Sequence, residues 1–406
     1  MTPTVVTGQQ IGLLGGPMYT AYKVLGAAHY AREIGARAVY WLATDDADFA
    51  EINHIDYLDA DGKLRHLEWK IDSGGYSCGL IAADDALAGV LNVFFDTIRQ
   101  TEFTAELRSL VLGCYRPGRT LGEASRELAQ HLYGRFGIEV FDPMDSEFRS
   151  FVQTRLRREA ERTPPGRQCN LFCLKGPRRE AIFRDESGFH LRDGSRVELA
   201  DCELMPNLRT RNVMQDAYFG THTYIAGPSE ERYIAELDDE YEFHKVRRAA
   251  VKPRMSVTLI EPKTRRLLKK TGLDAGRVIT AARSELRGQV LSEQTGTDLR
   301  ELARKADEVA GECLDRLTGL GIDTRAAGKA LRGAVKAEIG SMRAGQKRRN
   351  GELLAQAEEL SDRLRPFDRR QERVFNVFHY MNLYGGAAFV DRLYAQYDFN
   401  ADVIEI

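Results

Sequence analysis

The stretch from Thr4 to Ala43 sets the tightest limit on what this chain can fold into. Thr4-Val5-Val6-Thr7 is a β-branched run, Gly8 to Gly16 is a glycine-rich turn, and Tyr19 to Ile34 has helical spacing. Val39-Tyr40-Trp41-Leu42-Ala43 is then apolar on both faces, as in a parallel strand covered by helices. The pattern predicts a βαβ unit and an α/β core. A central parallel strand usually has chain ahead of it, and here almost none precedes Thr4; a compact fold or a start placed late would each account for this.

The grammar of the core resumes further on. Ile138-Glu139-Val140-Phe141-Asp142 reads as a buried strand ending in an acid, and Thr223-Tyr224-Ile225-Ala226 as another before Gly227-Pro228. Glu230 to Phe243 reads as one helix. Between these lies an insertion-like block, about 55–205. It holds a hairpin over His54–Ile71, two amphipathic helices over Leu91–Tyr133, and short antiparallel strands over Glu180–Val197. From Asp298 the apolar positions Leu299, Leu302, Ala306, Val309, Cys313 and Leu317 follow a three-four spacing, and a second series runs from Leu331 to Leu364. Two such helices predict an antiparallel coiled-coil hairpin, interrupted at Gly345–Gly351. The aromatic-rich tail, Arg373 to Tyr397, must dock on a core. The expected division is 1–297 for the core, 298–365 for the hairpin and 366–406 for a returning segment.

Composition removes several classes. With 58 Lys+Arg against 60 Asp+Glu over 406 residues, the net charge of −2 argues against a surface built for nucleic acid. No run of about 18 apolar residues exists to span a bilayer, and no basic segment precedes an apolar one at the N-terminus. The six cysteines lack the paired spacing of a zinc site and read as reduced thiols of a cytoplasmic protein.

Three clusters can carry chemistry. Thr7-Gly8-Gln9-Gln10, with the glycines through Gly16, stands between strand and helix, where open parallel sheets bind ligands. It is neither a P-loop nor a Gly-x-Gly-x-x-Gly fingerprint. The two glutamines suit a polar, hydroxyl-rich ligand, while a purely structural turn is the alternative. Asp45-Asp46-Ala47-Asp48-Phe49-Ala50-Glu51 closes the next strand. An ammonium group, Mg²⁺, a general base and a solvated helix start all remain open for it. Arg211 and Gln215, then Gly227-Pro228-Ser229-Glu230, form the third; Arg211 suits a carboxylate.

Taken together, the clusters resemble the bacillithiol biosynthesis cysteine-adding enzymes, a family of cysteine ligases. The resemblance rests on Val5–Gln10, on Gly15-Gly16-Pro17 with Tyr19, Thr20 and Lys23, and on Phe49–Asn53. It continues through Thr210-Arg211, Met214-Gln215, Ile225–Glu230, Pro253-Arg254 and Thr258–Glu261, and closes with Gln371-Glu372-Arg373 and Tyr380–Gly385. It implies a Rossmann-like core with inserted connecting segments, similar to class I aminoacyl-tRNA synthetases, and a C-terminal coiled-coil arm that makes a homodimer. The implied reaction joins the cysteine carboxyl to the amine of glucosaminyl malate, with ATP (or ADP as the bound nucleotide) as cofactor and no metal site assigned.

In that reading Asp46, Asp48 and Glu51 take the acceptor amine or act as base. Gly8, Gln9, Gln10 and Gly16 shape the pocket, and Arg211 and Arg254 hold carboxylate or phosphate. Thr7, Tyr19, Lys23, Asn53, Gln215, Gly227 and Glu230 complete the binding set. The chain departs from the family in two places. The strand-end motif of the family is Glu-Asp-His-Asp, and Ala47 stands here in place of the histidine. The usual segment ahead of the first strand is also missing. A non-catalytic paralogue that binds a sugar acid or nucleotide as a dimeric partner is therefore the alternative.

Overall fold

A computed structural model of the chain describes residues 2–295, 299–320 and 323–406; the side chains of 291–295, 299, 300, 327, 343, 346, 347 and 349 lie outside that description. The first β-branched run extends into a longer strand than its composition suggests, β1 (Thr4–Gln10). Gly8, Gln9 and Gln10 belong to the strand rather than to a turn, because they pair in parallel with Trp41, Leu42 and Ala43 of β2 (Arg37–Ala43). Helix α1 (Met18–Ile34) crosses between them and stops at Gly35, whose φ of 64° is the left-handed conformation that suits glycine.

The chain divides into two compact units: Met1–Val257 with Glu372–Val403, and Thr258–Gln371 with Ile404–Ile406. The first is the Rossmann-like body. Its sheet has the order β12-β11-β1-β2-β5, all parallel, with β5 (Ile138–Phe141), β11 (Thr221–Ala226) and β12 (Ala250–Pro253) joining β1 and β2. One face packs Val6, Val39, Trp41 and Tyr224 against Phe148, Val152 and Leu156 of α5 (Ser146–Arg162) and Val213 and Met214 of α6 (Leu208–Phe219). Trp41 anchors this layer, with the Phe148 ring edge-on 5.0 Å away.

Two inserted segments interrupt the parallel order. The first contains the hairpin β3 (His54–Leu58) and β4 (Leu64–Glu68), then three helices rather than two: α2 (Asp85–Thr97), α3 (Thr104–Cys114) and α4 (Leu121–Tyr133). The Asp84 and Thr120 side chains cap α2 and α4, so the polar residues before each helix mark breaks that apolar spacing alone passes over. The second segment is an antiparallel sheet of order β10-β6-β7-β8-β9, built from Arg167–Lys175 (β6), Arg178–Asp185 (β7), Gly188–Leu191 (β8), Arg196–Val197 (β9) and Glu203–Pro206 (β10). After β11, the single helix expected over Glu230–Phe243 is two, α7 (Pro228–Ala235) and α8 (Asp238–His244). Leu237 turns the chain there and is buried.

The second unit begins at Thr258, well before the expected boundary at 298, because α9 (Pro262–Thr271), α10 (Ala275–Thr280) and α11 (Arg283–Thr295) share a core with α14 (Gly351–Leu364). Leu267, Val278, Leu286, Leu360 and Leu364 fill it. The coiled-coil helices α12 (Leu299–Gly319) and α13 (Arg325–Arg349) form the hairpin, and α13 runs through Gly345 to break at Asn350. Ala310, Leu314 and Ile339 are buried there, whereas Leu302, Val309, Leu317, Leu331 and Met342, members of the apolar series, are exposed. Among the described residues no helix is long and apolar enough to cross a membrane.

The returning segment closes the first unit with Phe375, Phe378, Tyr380, Phe389 and Tyr397 buried. The Tyr397 hydroxyl donates to the Tyr22 carbonyl (2.8 Å) and accepts from the Met255 N–H (3.0 Å). It sits where α1 has Gly26, and a Cβ at Gly26 would come within 2.3 Å of it. Gly26→Ala should therefore destabilise the protein by about 1–3 kcal/mol. Gly89→Ala, in open space on α2, should be neutral or stabilising by up to ~1 kcal/mol. Urea unfolding of both variants checks this; equal midpoints would refute the packing argument.

Candidate functional site

Strand order locates the site. The chain runs outward from β1 through β2 to β5 on one side, then returns to lay β11 and β12 on the other. Loops diverge at the β1/β11 boundary, and the crevice above the carboxyl ends of those strands is where such sheets bind ligands. A cavity of about 650 Å³ lies there, bounded by the ends of β1 and β2, the start of α7 and the inserted antiparallel sheet.

Its innermost element is an ion pair. Lys23, on α1, is 1% exposed. Its ammonium donates to Glu230 Oε2 (2.6 Å), to Gln9 Oε1 (3.2 Å) and to the Gly8 carbonyl. Glu230 also accepts from the Gly227 N–H (2.8 Å) and from the Tyr224 hydroxyl (2.7 Å), which itself accepts from the Gly8 N–H (3.2 Å). One carboxylate thus ties the end of β1 to the start of α7. Burial pushes the Glu230 carboxyl up, but the Lys23 and Arg211 charges outweigh it and hold it below the usual range. Burial in turn pulls the Lys23 ammonium down, against Glu230. Gly8 is required here: a Cβ would lie 3.0 Å from Arg211 Nη1 and 3.1 Å from the Tyr224 hydroxyl.

The acidic wall is braced from the inserted sheet. Arg179 of β7 donates to the Asp45 carbonyl (2.9 Å) and carboxylate (3.1 Å), stands 3.5 Å from Asp46, and covers Phe172 at 4.2 Å. Burial raises the Asp45 carboxyl despite Arg179. Asp46 accepts from Gln10 Nε2 (2.5 Å) on one oxygen and from the Ala47 N–H (2.7 Å) on the other. Beneath it Cys78 is pushed up to about 12, first by burial and then by Asp46 and Asp48.

Of the residues singled out in the sequence, Gly8, Gln9, Gln10, Tyr19, Lys23, Asp46, Glu51, Arg211, Gly227, Glu230 and Arg254 line the cavity. Thr7 does not; its hydroxyl donates to the Ile225 carbonyl (2.8 Å) and ties β1 to β11. Gly16 lies apart because the loop before α1 is filled by protein. Gly12 and Gly16 meet so closely that a Cβ on Gly12 would be 2.9 Å from the Gly16 Cα. The first amide of α1, Met18 N–H, donates to the Phe375 carbonyl (2.7 Å) instead of a ligand. Asp48 is exposed outside the cavity, Asn53 donates to the Trp69 carbonyl (3.1 Å), and buried Gln215 donates to Asp216 (3.2 Å). Arg254 lines the cavity but is already engaged, its fork meeting both Glu372 oxygens at 2.8 Å. Phe172, Arg179, Pro206, Asn207, Leu208, Tyr233 and Arg373 also line it without having been singled out. Arg373 belongs to the Gln371-Glu372-Arg373 segment that helps carry the family resemblance; Arg179 sits in a strand with no local signature.

Known proteins match along the whole chain. The model "Bacillithiol biosynthesis BshC, N-terminal Rossmann-like domain" matches residues 1–168 and 161–255, and "Bacillithiol biosynthesis BshC, C-terminal coiled-coil domain" matches 257–403. A protein of Solibacter usitatus named "Putative cysteine ligase BshC" is 28% identical, covering 95% of this chain and 80% of its own. Proteins of the same name from Salinibacter ruber and Geobacillus sp. are each 27% identical, over 96% and 94% of this chain and 80% of their own. A solved structure described as a "putative arginyl t-RNA synthetase" from Campylobacter jejuni covers 93% of this chain and 94% of its own at 10% identity, but its TM-score of 0.28 supports no argument.

The Lys23–Glu230 pair makes a pH-dependent prediction. Glu230→Gln leaves a buried ammonium without its counter-ion and should cost about 3–5 kcal/mol at pH 7. Lys23→Met/Glu230→Gln should cost less than Glu230→Gln alone. Because the folded carboxyl is held below its unfolded value, its stabilisation is complete above about pH 5 and fades as pH falls through the folded value. The gap between wild type and Glu230→Gln should therefore narrow below about pH 4. Chemical denaturation at pH 7 and pH 3.5 measures it, and a gap constant with pH would contradict the assignment.

Proposed function

The chain belongs to the BshC family of bacillithiol biosynthesis proteins, and on that premise we propose that it is a cysteine ligase joining the carboxyl group of cysteine to the amine of glucosaminyl malate. The observation that carries this reading is the switch-point crevice, where the carboxylates of Asp46 and Glu51 and the guanidinium groups of Arg211 and Arg373 line one cavity. An amine acceptor that also bears carboxylates needs both kinds of partner.

Amide formation from a free carboxylate requires activation, and ATP is the reagent we infer. Bound there, it would supply the leaving group that the cysteine carboxyl lacks. The lining fits a phosphate-bearing ligand in two respects. The first-turn amides of α7 at Ser229 and Glu230 have no i−4 carbonyl within the helix, and Arg211 lies in the same cavity. Arg211 is held by Tyr233 (2.6 Å) and Gln215 (3.5 Å) and has no carboxylate within ion-pair distance among the described residues. Attack requires the acceptor amine in its neutral form, so a carboxylate must take its proton. Both Asp46 oxygens already accept hydrogen bonds, and Asp48 lies outside the cavity. Glu51 lines the cavity with no bonded partner among the described residues, and we assign the base to it.

The exposed stripe on α12 and α13, with Val309 59% and Leu317 39% exposed, supports a homodimer made through the coiled-coil arm. One observation favours the non-catalytic reading. Among the described residues no histidine lines the cavity, and Ala47 leaves the strand-end motif without an imidazole.

The test is incubation of the purified protein with cysteine, glucosaminyl malate and ATP, with mass spectrometry of the products. The amide thiol is expected, and Glu51→Gln should lower its rate about 10²-fold or more. No product beside an active control enzyme would remove the ligase reading. Product from Ala47→His but not from the native chain would identify an impaired catalyst. Ligand binding without product from either form would establish the binder.

A further inference from the structure

Five cations line the crevice: Lys23, Arg179, Arg211, Arg254 and Arg373. Three are neutralised inside the protein. Lys23 faces Glu230 at 2.6 Å, Arg179 faces Asp45 at 3.1 Å, and Arg254 faces Glu372 at 2.8 Å. Arg211 is partly buried and held by Tyr233 and Gln215. Arg373 differs from all of them. It is exposed, and among the described residues no carboxylate lies within ion-pair distance of it.

Its place is fixed from both sides. The preceding residue, Glu372, is 3% exposed and locked by Arg254 and by the Ser256 hydroxyl (3.0 Å). The guanidinium carbon of Arg373 stands 5.8 Å from the centre of the Tyr19 ring, and that of Arg254 stands 5.5 Å from it. Arg254 Nε is buried without a partner, near Gly227, another lining residue. A rigid segment thus delivers an unneutralised guanidinium to the cavity beside an aromatic ring. Burial pushes the Tyr19 phenol up, Arg373 pulls it down and Glu51 raises it again, so both charges act on one hydroxyl. Among the described residues, the crevice therefore has one unengaged carboxylate, Glu51, and one unengaged exposed guanidinium, Arg373, around Tyr19. That arrangement complements a ligand with an amine at one end and a carboxylate at the other.

We propose that Arg373 is the substrate-anchoring residue that binds a carboxylate of the malyl group while Glu51 receives the amine. The inference rests on the ligase reading above. An arginine fork meets a carboxylate through two parallel N–H bonds, which fixes orientation as well as affinity. Arg254, to which sequence alone gave this task, instead holds Glu372 and so positions Arg373. A nucleotide phosphate is the competing anion, and the α7 amides and Arg211 line the same cavity.

The experiment uses the full chain with L-malate as probe, followed by calorimetry, together with steady-state kinetics on glucosaminyl malate. Arg373→Met should weaken malate binding about tenfold or more. It should raise KM for glucosaminyl malate by a similar factor, leaving kcat and the KM for cysteine within about twofold. Arg373→Lys, which keeps charge and loses the fork, should fall between. Melting temperature should not move, since the guanidinium is exposed. Wild-type protein that does not bind malate, or Arg373→Met that binds it normally, overturns the proposal. So does a variant that loses ATP affinity alone, which would assign Arg373 to phosphate. Arg373-dependent malate binding without any amide product would keep the anchoring site and reject the ligase. Amide product with an unchanged KM in Arg373→Met would do the reverse.

Discussion

The buried Lys23–Glu230 pair is the constraint to which the rest of the crevice conforms. An ammonium and a carboxylate taken out of water must find each other and every remaining donor and acceptor they need. Here that requirement consumes the Gly8 carbonyl, the Gln9 amide, the Gly227 N–H and the Tyr224 hydroxyl. Elements far apart in sequence are thereby held in register: the end of β1, the middle of α1, the end of β11 and the start of α7. The rear of the crevice is neutral as a unit and cannot relax without exposing a charge. Gly8 follows from the same constraint, since no side chain fits between Arg211 and Tyr224.

Much of this was legible in sequence because it is local. A β-branched run, a glycine and a helix announce one crossing, and Ile225-Ala226-Gly227-Pro228 announces another. Gly8, Gln9, Lys23 and Glu230 all belong to those crossings. Gly16 shared the same local signal and still lies outside the cavity, because the carbonyl of Phe375, from the far end of the chain, fills the place a ligand would take at α1. Arg254 looked like an anion site for a similar reason: nothing nearby shows that Glu372 will meet it. Arg179 is the converse case, an ordinary strand residue brought to the cavity and to Asp45 by the inserted sheet. Apolar spacing likewise merged α7 with α8 and undercounted the inserted helices, since polar caps and a single buried leucine set those breaks.

The near-zero net charge takes on a different meaning at the level of the site. Charges are plentiful in the crevice, yet most cancel in pairs between residues that the chain brings together from a distance. Such pairing lowers the field a ligand meets and leaves its orientation to the few groups that remain. Glu51 and Arg373 stand out for that reason, each weakly marked by position alone.

The returning segment has a consequence for biosynthesis. Glu372–Val403 completes the first unit, but the ribosome must make residues 258–371 before it emerges. At roughly 5–20 residues per second, that interval is on the order of ten seconds. During it Gly26 faces no tyrosine, the α1 amide has no carbonyl from Phe375, and Arg254 has no glutamate. The nascent Rossmann-like body must therefore wait with an unsealed flank while the helical unit, nearly continuous in sequence, can close first. A chaperone that shields apolar surface would find its longest opportunity in that interval.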